Sequence, residues 1–236
     1  MLPLTNIVPP FLAVAAVAYA ALAVRVARIT PHNPNNPVSI FLFLMAGLVT
    51  GAAFSYGAVD DVMYGVGRVF SFFSAGFAAV VLFMIYREYT VGKPGWLIVL
   101  MLCIVPMATT ALALTNPLHN MIWSAVETDA GLVFSDITDH YWYNKIYAPF
   151  TYGLIAYSAL ALLVRLPTIA PAHRKVIGML LACLLLPYAV SIGNTFLGMG
   201  PPEFPFTAST IALMWPFFAW ASLKLRVHDF SPLAYK

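Results

Sequence analysis

The run Gly95-Trp-Leu-Ile-Val-Leu-Met-Leu-Cys-Ile-Val-Pro-Met-Ala-Thr-Thr-Ala-Leu-Ala-Leu114 carries no charge, and its polar side chains are two threonines near one end. A helix needs about 20 such residues to cross the hydrocarbon of a bilayer. Where no water can serve the backbone, a lone segment satisfies its own donors and acceptors only as a helix. The run therefore predicts a membrane-spanning helix. Six further stretches read the same way, approximately 6–27, 38–59, 66–86, 145–165, 176–198 and 205–224. Pro, Gly, Asn or charge clusters bound them, as in Thr30-Pro-His-Asn-Pro-Asn-Asn-Pro37. Of the 236 residues 61% are hydrophobic and 9% charged, against about 25% charged in soluble domains. The expectation is an all-α membrane protein, a single seven-helix transmembrane bundle over 1–236, with the bilayer as its main partner.

Orientation follows from Lys and Arg, which favour the cytoplasmic side. Arg25, Arg28, Arg87, Lys93, Arg165, Arg174, Lys175, Lys224, Arg226 and Lys236 fall on one side of the seven-helix arrangement. Only Arg68 and Lys145 fall on the other, together with Asp60, Asp61, Glu127, Asp129, Asp136, Asp139 and Glu203. The N-terminus is expected outside, the C-terminus in the cytoplasm, and the chain in the cytoplasmic (inner) membrane. Met1-Leu-Pro-Leu-Thr-Asn6 lacks the positive start of a secretory signal.

Several function classes lose ground at once. Proton relays and ion-coupled transporters use ionisable groups inside the membrane, and no Asp, Glu, Lys, Arg or His falls in the middle of these stretches. A retinal pigment needs a lysine within its last helix, and 205–223 has none. His32, His119, His140, His173 and His228 lie in or near loops, so paired haem ligands are missing. No nucleophile with a base, phosphate loop or zinc motif is visible, so no catalytic residue, metal or cofactor is expected. Asp136, Asp139 and His140, with His119, Glu127 and Asp129, suit a divalent cation or, more simply, a solvated acidic loop. No basic patch points to nucleic acid. Cys103 and Cys183 sit in apolar runs and read as small hydrophobes.

Polar side chains gather in the outward halves of the helices. They include Ser55, Tyr56, Ser71, Ser74, Thr109, Thr110, Thr151, Tyr152, Ser191, Asn194, Thr207, Ser209 and Thr210. Polar groups in hydrocarbon need partners, and these have either one another and water or a bound molecule. Pro106, Pro187 and Pro216 fall near mid-membrane, where proline removes a helical hydrogen bond. The one long connection is the outer loop 115–144. Within it Asn116-Pro117 reads as a helix start, and a short helix from Pro117 places His119 and Trp123 on one face. Leu132-Val-Phe134 and Tyr141-Trp-Tyr143 suggest a small hairpin.

Thr115-Asn-Pro-Leu-His119 with Trp123, Gly131-Leu-Val-Phe134, Tyr147-Ala-Pro-Phe-Thr-Tyr152 and the exit Leu225-Arg-Val-His-Asp-Phe-Ser-Pro-Leu-Ala234 carry a resemblance. The chain resembles the N-terminal seven-helix sensor region of bacterial and archaeal membrane histidine kinases. The resemblance implies an input module that passes a helix rearrangement to a cytoplasmic transmitter. The chain stops at Lys236 without a phosphoacceptor helix or an ATP-binding domain, so no phosphoryl transfer is expected of it. The leading expectation is a sensor of an apolar or amphipathic small molecule, working as an oligomer. Its ligand contacts would be Asn116, His119 and Trp123, with Tyr147, Tyr152 and Asn194 beneath them. Trp123 is alternatively an interfacial anchor. The competing expectation is a structural or accessory subunit of a larger membrane complex, with Phe70, Phe72, Phe73 and Phe77 at its interface.

Overall fold

The computed structural model describes residues 4–29, 36–128, 131–134, 140–168, 171–197 and 205–224. Among the described residues seven long helices appear in chain order: α1 (Leu4–Ile29), α2 (Pro37–Tyr56), α3 (Asp61–Thr90), α4 (Trp96–Leu114), α5 (Ala148–Arg165), α6 (Pro171–Leu197) and α7 (Phe206–Lys224). The first six are long and apolar enough to cross a membrane, and α7 contributes a shorter apolar stretch, Phe206–Ala221. The seven-helix membrane bundle read from the sequence is the fold. Asp129, Asp136, Asp139, Glu203 and the exit 225–234 lie outside the described residues.

Local chemistry fixes the helix starts. The Asn36 side chain accepts the Val38 N–H at 2.9 Å, with Pro37 as the first helical residue. The Asp60 carboxylate accepts the Met63 N–H at 2.7 Å. That cap starts α3 at Asp61, five residues before the start at 66 expected from hydropathy. The bundle therefore holds Arg68 two turns inside a helix rather than at its edge.

Helix contacts run α1–α2–α3–α5–α6–α7 and back to α1, closing a ring, with α2 also touching α7. Helix α4 stands outside that ring, against α3. Its other face, with Trp96, Leu97, Leu100, Met101, Ile104 and Met107, is exposed and apolar, as suits hydrocarbon. Hydrogen bonds tie the ring where side chains cross it. Buried Tyr19 of α1 donates to the Ile211 carbonyl of α7 at 2.8 Å, and Ser39 of α2 donates to the Ala23 carbonyl of α1 at 2.9 Å.

Much of the polar belt is satisfied within its own helices. Thr109 donates to the Val105 carbonyl and Thr110 to the Pro106 carbonyl, each at 2.8 Å, and Thr210 donates to the Phe206 carbonyl at 2.7 Å. A hydroxyl bonded one turn back costs little in an apolar setting.

The loop after α4 differs from the sequence reading in two ways. Asn116–Leu118 makes a single 3-10 turn, and no helix continues to Trp123. Asn120, at φ 50°, turns the chain away from a helical path. A hairpin is present, but it pairs β1 (Ala125–Thr128) with β2 (Gly131–Phe134), antiparallel, Val126 opposite Val133. Tyr141 and Trp142 are helical instead and lead into a π turn at Tyr143–Tyr147. There the Ala148 N–H bonds the Tyr143 carbonyl, five residues back. Pro149 has no N–H to offer the Lys145 carbonyl, and the wider turn adapts the helix entrance to that gap.

Candidate functional site

A cavity of about 280 Å³ opens inside the ring, between α2, α3, α5, α6 and α7. Its wall changes character along the helices. Toward the hairpin end it carries Ser55, Arg68, Ser71, Thr151, Ser191 and Asn194, with a collar of tyrosines, Tyr56, Tyr143, Tyr147, Tyr152 and Tyr188. Deeper it is apolar, with Met45, Ala79, Leu82, Ile155, Cys183 and Phe218 among its residues. Such a pocket, apolar with a few placed polar groups, is the usual form of a small-molecule site.

Hydrogen bonds hold most of the collar in place. Tyr147 is buried and donates to the Phe72 carbonyl of α3 at 2.8 Å, and its ring meets that of Phe72 edge-on at 5.3 Å. Tyr152 of α5 and Ser191 of α6 share a hydrogen bond of 2.6 Å across the cavity wall. Tyr188 donates to the Tyr152 carbonyl at 3.0 Å, so α5 and α6 are tied twice within one turn.

Three lining groups stand apart from that network. The Ser55 hydroxyl, the Thr151 hydroxyl and Nε of Arg68 are buried and make no hydrogen bond with the described residues. Among the described residues Arg68 is the one charged residue in the cavity wall. Its guanidinium lies over the ring of Tyr64, 4.8 Å from the centroid, a cation–π arrangement.

Of the six residues expected to contact a ligand, the structure brings Tyr147, Tyr152 and Asn194 to the cavity wall. Asn116, His119 and Trp123 form a separate group at the hairpin end. Asn116 is 1% exposed and organises the turn. Its amide donates to the Trp123 carbonyl at 2.9 Å, while its oxygen accepts the N–H groups of Ile122 at 2.9 Å and Trp123 at 3.4 Å. The His119 Nδ1 accepts the Met121 N–H at 3.0 Å, so the neutral ring carries its proton on Nε2, which faces the Thr115 hydroxyl at 3.0 Å. Trp123 is buried, with its ring edge-on to Tyr64 at 6.1 Å. The loop residues therefore reach the cavity indirectly: Asn116 holds Trp123, Trp123 packs on Tyr64, and Tyr64 carries Arg68.

Sequence reasoning passed over Arg68, Tyr143 and Tyr188. Asp60 was the available signal for Arg68, since a capping aspartate there puts it inside α3.

A sequence family described as the N-terminal 7TM region of histidine kinase matches residues 10–232. The chain belongs to that family. The match is to the membrane region that precedes the kinase machinery, and it makes the chain a multi-pass membrane protein of histidine-kinase signalling. Within this histidine-kinase 7TM region the loop after α4 forms the Asn116–Trp123 turn, and the cavity lies inside the ring. A comparison with curated proteins finds no match.

Proposed function

We propose that this 7TM region is the sensor of a two-component signalling protein, with its hairpin end outside and its C-terminal end in the cytoplasm. The signal is a small apolar or amphipathic molecule, reaching the cavity from the outer side or from the bilayer. Occupancy changes how α5, α6 and α7 pack against α2 and α3, and a cytoplasmic kinase transmitter reads that change. Lys and Arg bias supports the orientation, and an inner-membrane location goes with it. One observation carries the reading: a cavity with a polar mouth and an apolar floor, walled by five helices of a kinase input region.

A ligand shifts a conformational equilibrium only by binding its two states differently. The cavity wall spans five helices, so a ligand that fits one packing of them better than another meets that condition. Asn116, His119 and Trp123 act here as the support of the mouth, and Tyr147, Tyr152 and Asn194 as ligand contacts.

The test joins the chain to a histidine-kinase transmitter in lipid nanodiscs and measures autophosphorylation. Ala75 lines the cavity, and Ala75→Phe fills it. The expected result is a basal output displaced severalfold in a variant that still unfolds cooperatively. A folded Ala75→Phe variant with unchanged output, together with an unchanged His119→Ala/Asn194→Ala double variant, would sink the reading.

A further inference from the structure

We propose that the cavity binds a single-chain carboxylate amphiphile, with the carboxylate on Arg68 and the chain along the apolar floor. The inference rests on the cavity being the sensing site and specifies what that site accepts.

Charge comes first. Among the described residues Arg68 is the one ionised side chain in the wall, with no Asp or Glu beside it there. Tyr64 offers a π face to the guanidinium, which eases the cation without neutralising it. A guanidinium beside an apolar cavity is costly to leave unpaired. A cationic headgroup is repelled, and a neutral one leaves that cost in place. An oxyanion removes it, through the forked geometry in which arginine holds carboxylates.

Hydrogen bonding points the same way. The orphaned Arg68 Nε comes from α3, and the orphaned Ser55 hydroxyl comes from α2. Ser55 lies against α3 beside Gly67, so closely that a Cβ on Gly67 would fall 2.5 Å from its oxygen. That contact puts Ser55 next to Arg68 in sequence register, and Ser71 lines the wall one turn further along α3. Buried donors without partners are uncommon in proteins. These two, on adjacent helices and in residues that line one cavity, are enclosed donors that an acceptor-rich group can satisfy once it enters and the side chains turn to it.

Charge balance and size narrow the class. A phosphate monoester carries about −1.5 to −2 at neutral pH, more than one guanidinium balances. A carboxylate carries one charge and matches. At about 280 Å³ the cavity falls just below the usual range of ligand sites, about 300 to 1,000 Å³. That space suits one chain of medium length and is too small for a two-chain phospholipid. Among the described residues the floor from Met45 to Phe218 is apolar but for the weakly polar Cys183 thiol, so such a chain strands little there.

The experiment measures binding of radiolabelled decanoate to the full chain in nanodiscs, with binding to empty nanodiscs subtracted. Unlabelled decanoate, decanol, decyl phosphate and decyltrimethylammonium serve as competitors. Decanoate is expected to compete best, decanol weakly and the ammonium least. Arg68→Gln is expected to weaken decanoate about tenfold or more, the loss that follows removal of a charge-assisted pair, and to leave decanol unchanged. Arg68→Lys is expected to fall between, and Ser55→Ala, which keeps the charge, to give a smaller loss. Those two variants carry the test if Arg68→Gln does not fold. Unchanged decanoate affinity in Arg68→Gln, with binding abolished by Ala75→Phe, overturns the headgroup assignment and leaves the cavity as the site. Decanoate binding that neither variant changes overturns both. Decyl phosphate competing better than decanoate overturns the carboxylate.

Discussion

Gly51 of α2 and Gly67 of α3 meet so closely that a Cβ on either would lie 2.6 Å from the other's carbonyl oxygen. Small residues permit this kind of approach between membrane helices. The contact matters for the site because it seats α2 on α3 beside Ser55, Ser71 and Arg68. Gly51→Ala is expected to force the two backbones apart and to destabilise the protein by about 1–3 kcal/mol. Gly153 of α5 is the control, since a Cβ there meets nothing within 4 Å. Gly153→Ala is expected to be neutral or to stabilise by about 0.5–1 kcal/mol. Thermal unfolding in detergent reads both, and equal effects at the two glycines would contradict the account.

Asn116 makes three hydrogen bonds to the backbone of Ile122 and Trp123 from a position 1% exposed. Asn116→Ala strands those groups in an apolar cluster and is expected to cost about 2–4 kcal/mol. The change also loosens Trp123, whose ring then leaves Tyr64 and moves toward water. A red shift of tryptophan emission, missing in Asn116→Ala/Trp123→Phe, checks that route. His119 sits at the surface of the same turn, and His119→Ala is expected to cost only about 1 kcal/mol. A larger loss at His119 than at Asn116 would reverse the assignment of which residue organises the turn.

The seven helices were legible because each is a long apolar run, and the bilayer imposes that length. What escaped was lateral. Helix α4 stands outside the ring, yet its run is as apolar as those inside, so hydropathy does not show which helix lies at the periphery. Arg68 was misplaced for a related reason. Hydropathy begins α3 at the apolar run near 66, whereas the Asp60 cap begins it at Asp61. The hairpin was half legible: Gly131–Phe134 is a strand, but its partner is Ala125–Thr128. Tyr141-Trp-Tyr143 has strand-like aromatics, and tertiary packing overrides that preference by burying Tyr143 against Phe72 and Tyr147. Tyr147, Tyr152 and Asn194 could be found because polar side chains at one depth are conspicuous in so apolar a chain. Tyr188 stands deeper in α6, one residue after Pro187, and sequence alone gave it no mark.

The hydrogen bond between Tyr152 and Ser191, 2.6 Å, is the shortest side-chain link between α5 and α6 among the described residues. Tyr152→Phe and Ser191→Ala each remove it, and each alone is expected to cost about 0.5–1.5 kcal/mol. The double variant is expected to cost less than their sum, since the bond can be lost only once. If α5–α6 packing sets the signalling state, all three variants displace the basal autophosphorylation of a kinase fusion in the same direction. Additive stability losses, or outputs of opposite sign, would show that the pair is not a unit.

Pro106 of α4 is buried against Gly76 of α3: a Cβ on Gly76 would lie 3.0 Å from the Pro106 Cβ, 3.2 Å from its Cγ and 3.3 Å from Cε2 of Tyr147. Proline here fills a notch that glycine leaves open, and the same notch backs a cavity-lining tyrosine. Gly76→Ala is therefore expected to destabilise by about 1–3 kcal/mol through overpacking. Pro106→Ala returns a backbone donor to α4 but empties the notch, so its two effects oppose and the net change is expected to be small. Combining them removes the Pro106 Cγ that would stand 3.2 Å from the new methyl, while alanine at 106 keeps the Cβ at 3.0 Å, so the relief is partial. The double variant should be more stable than Gly76→Ala alone, with a coupling of about 0.5–3 kcal/mol in the favourable direction. Thermal unfolding of the three variants measures it. A double variant as unstable as the sum of its parts would mean that Pro106 serves α4 as a backbone kink and not as the partner of Gly76.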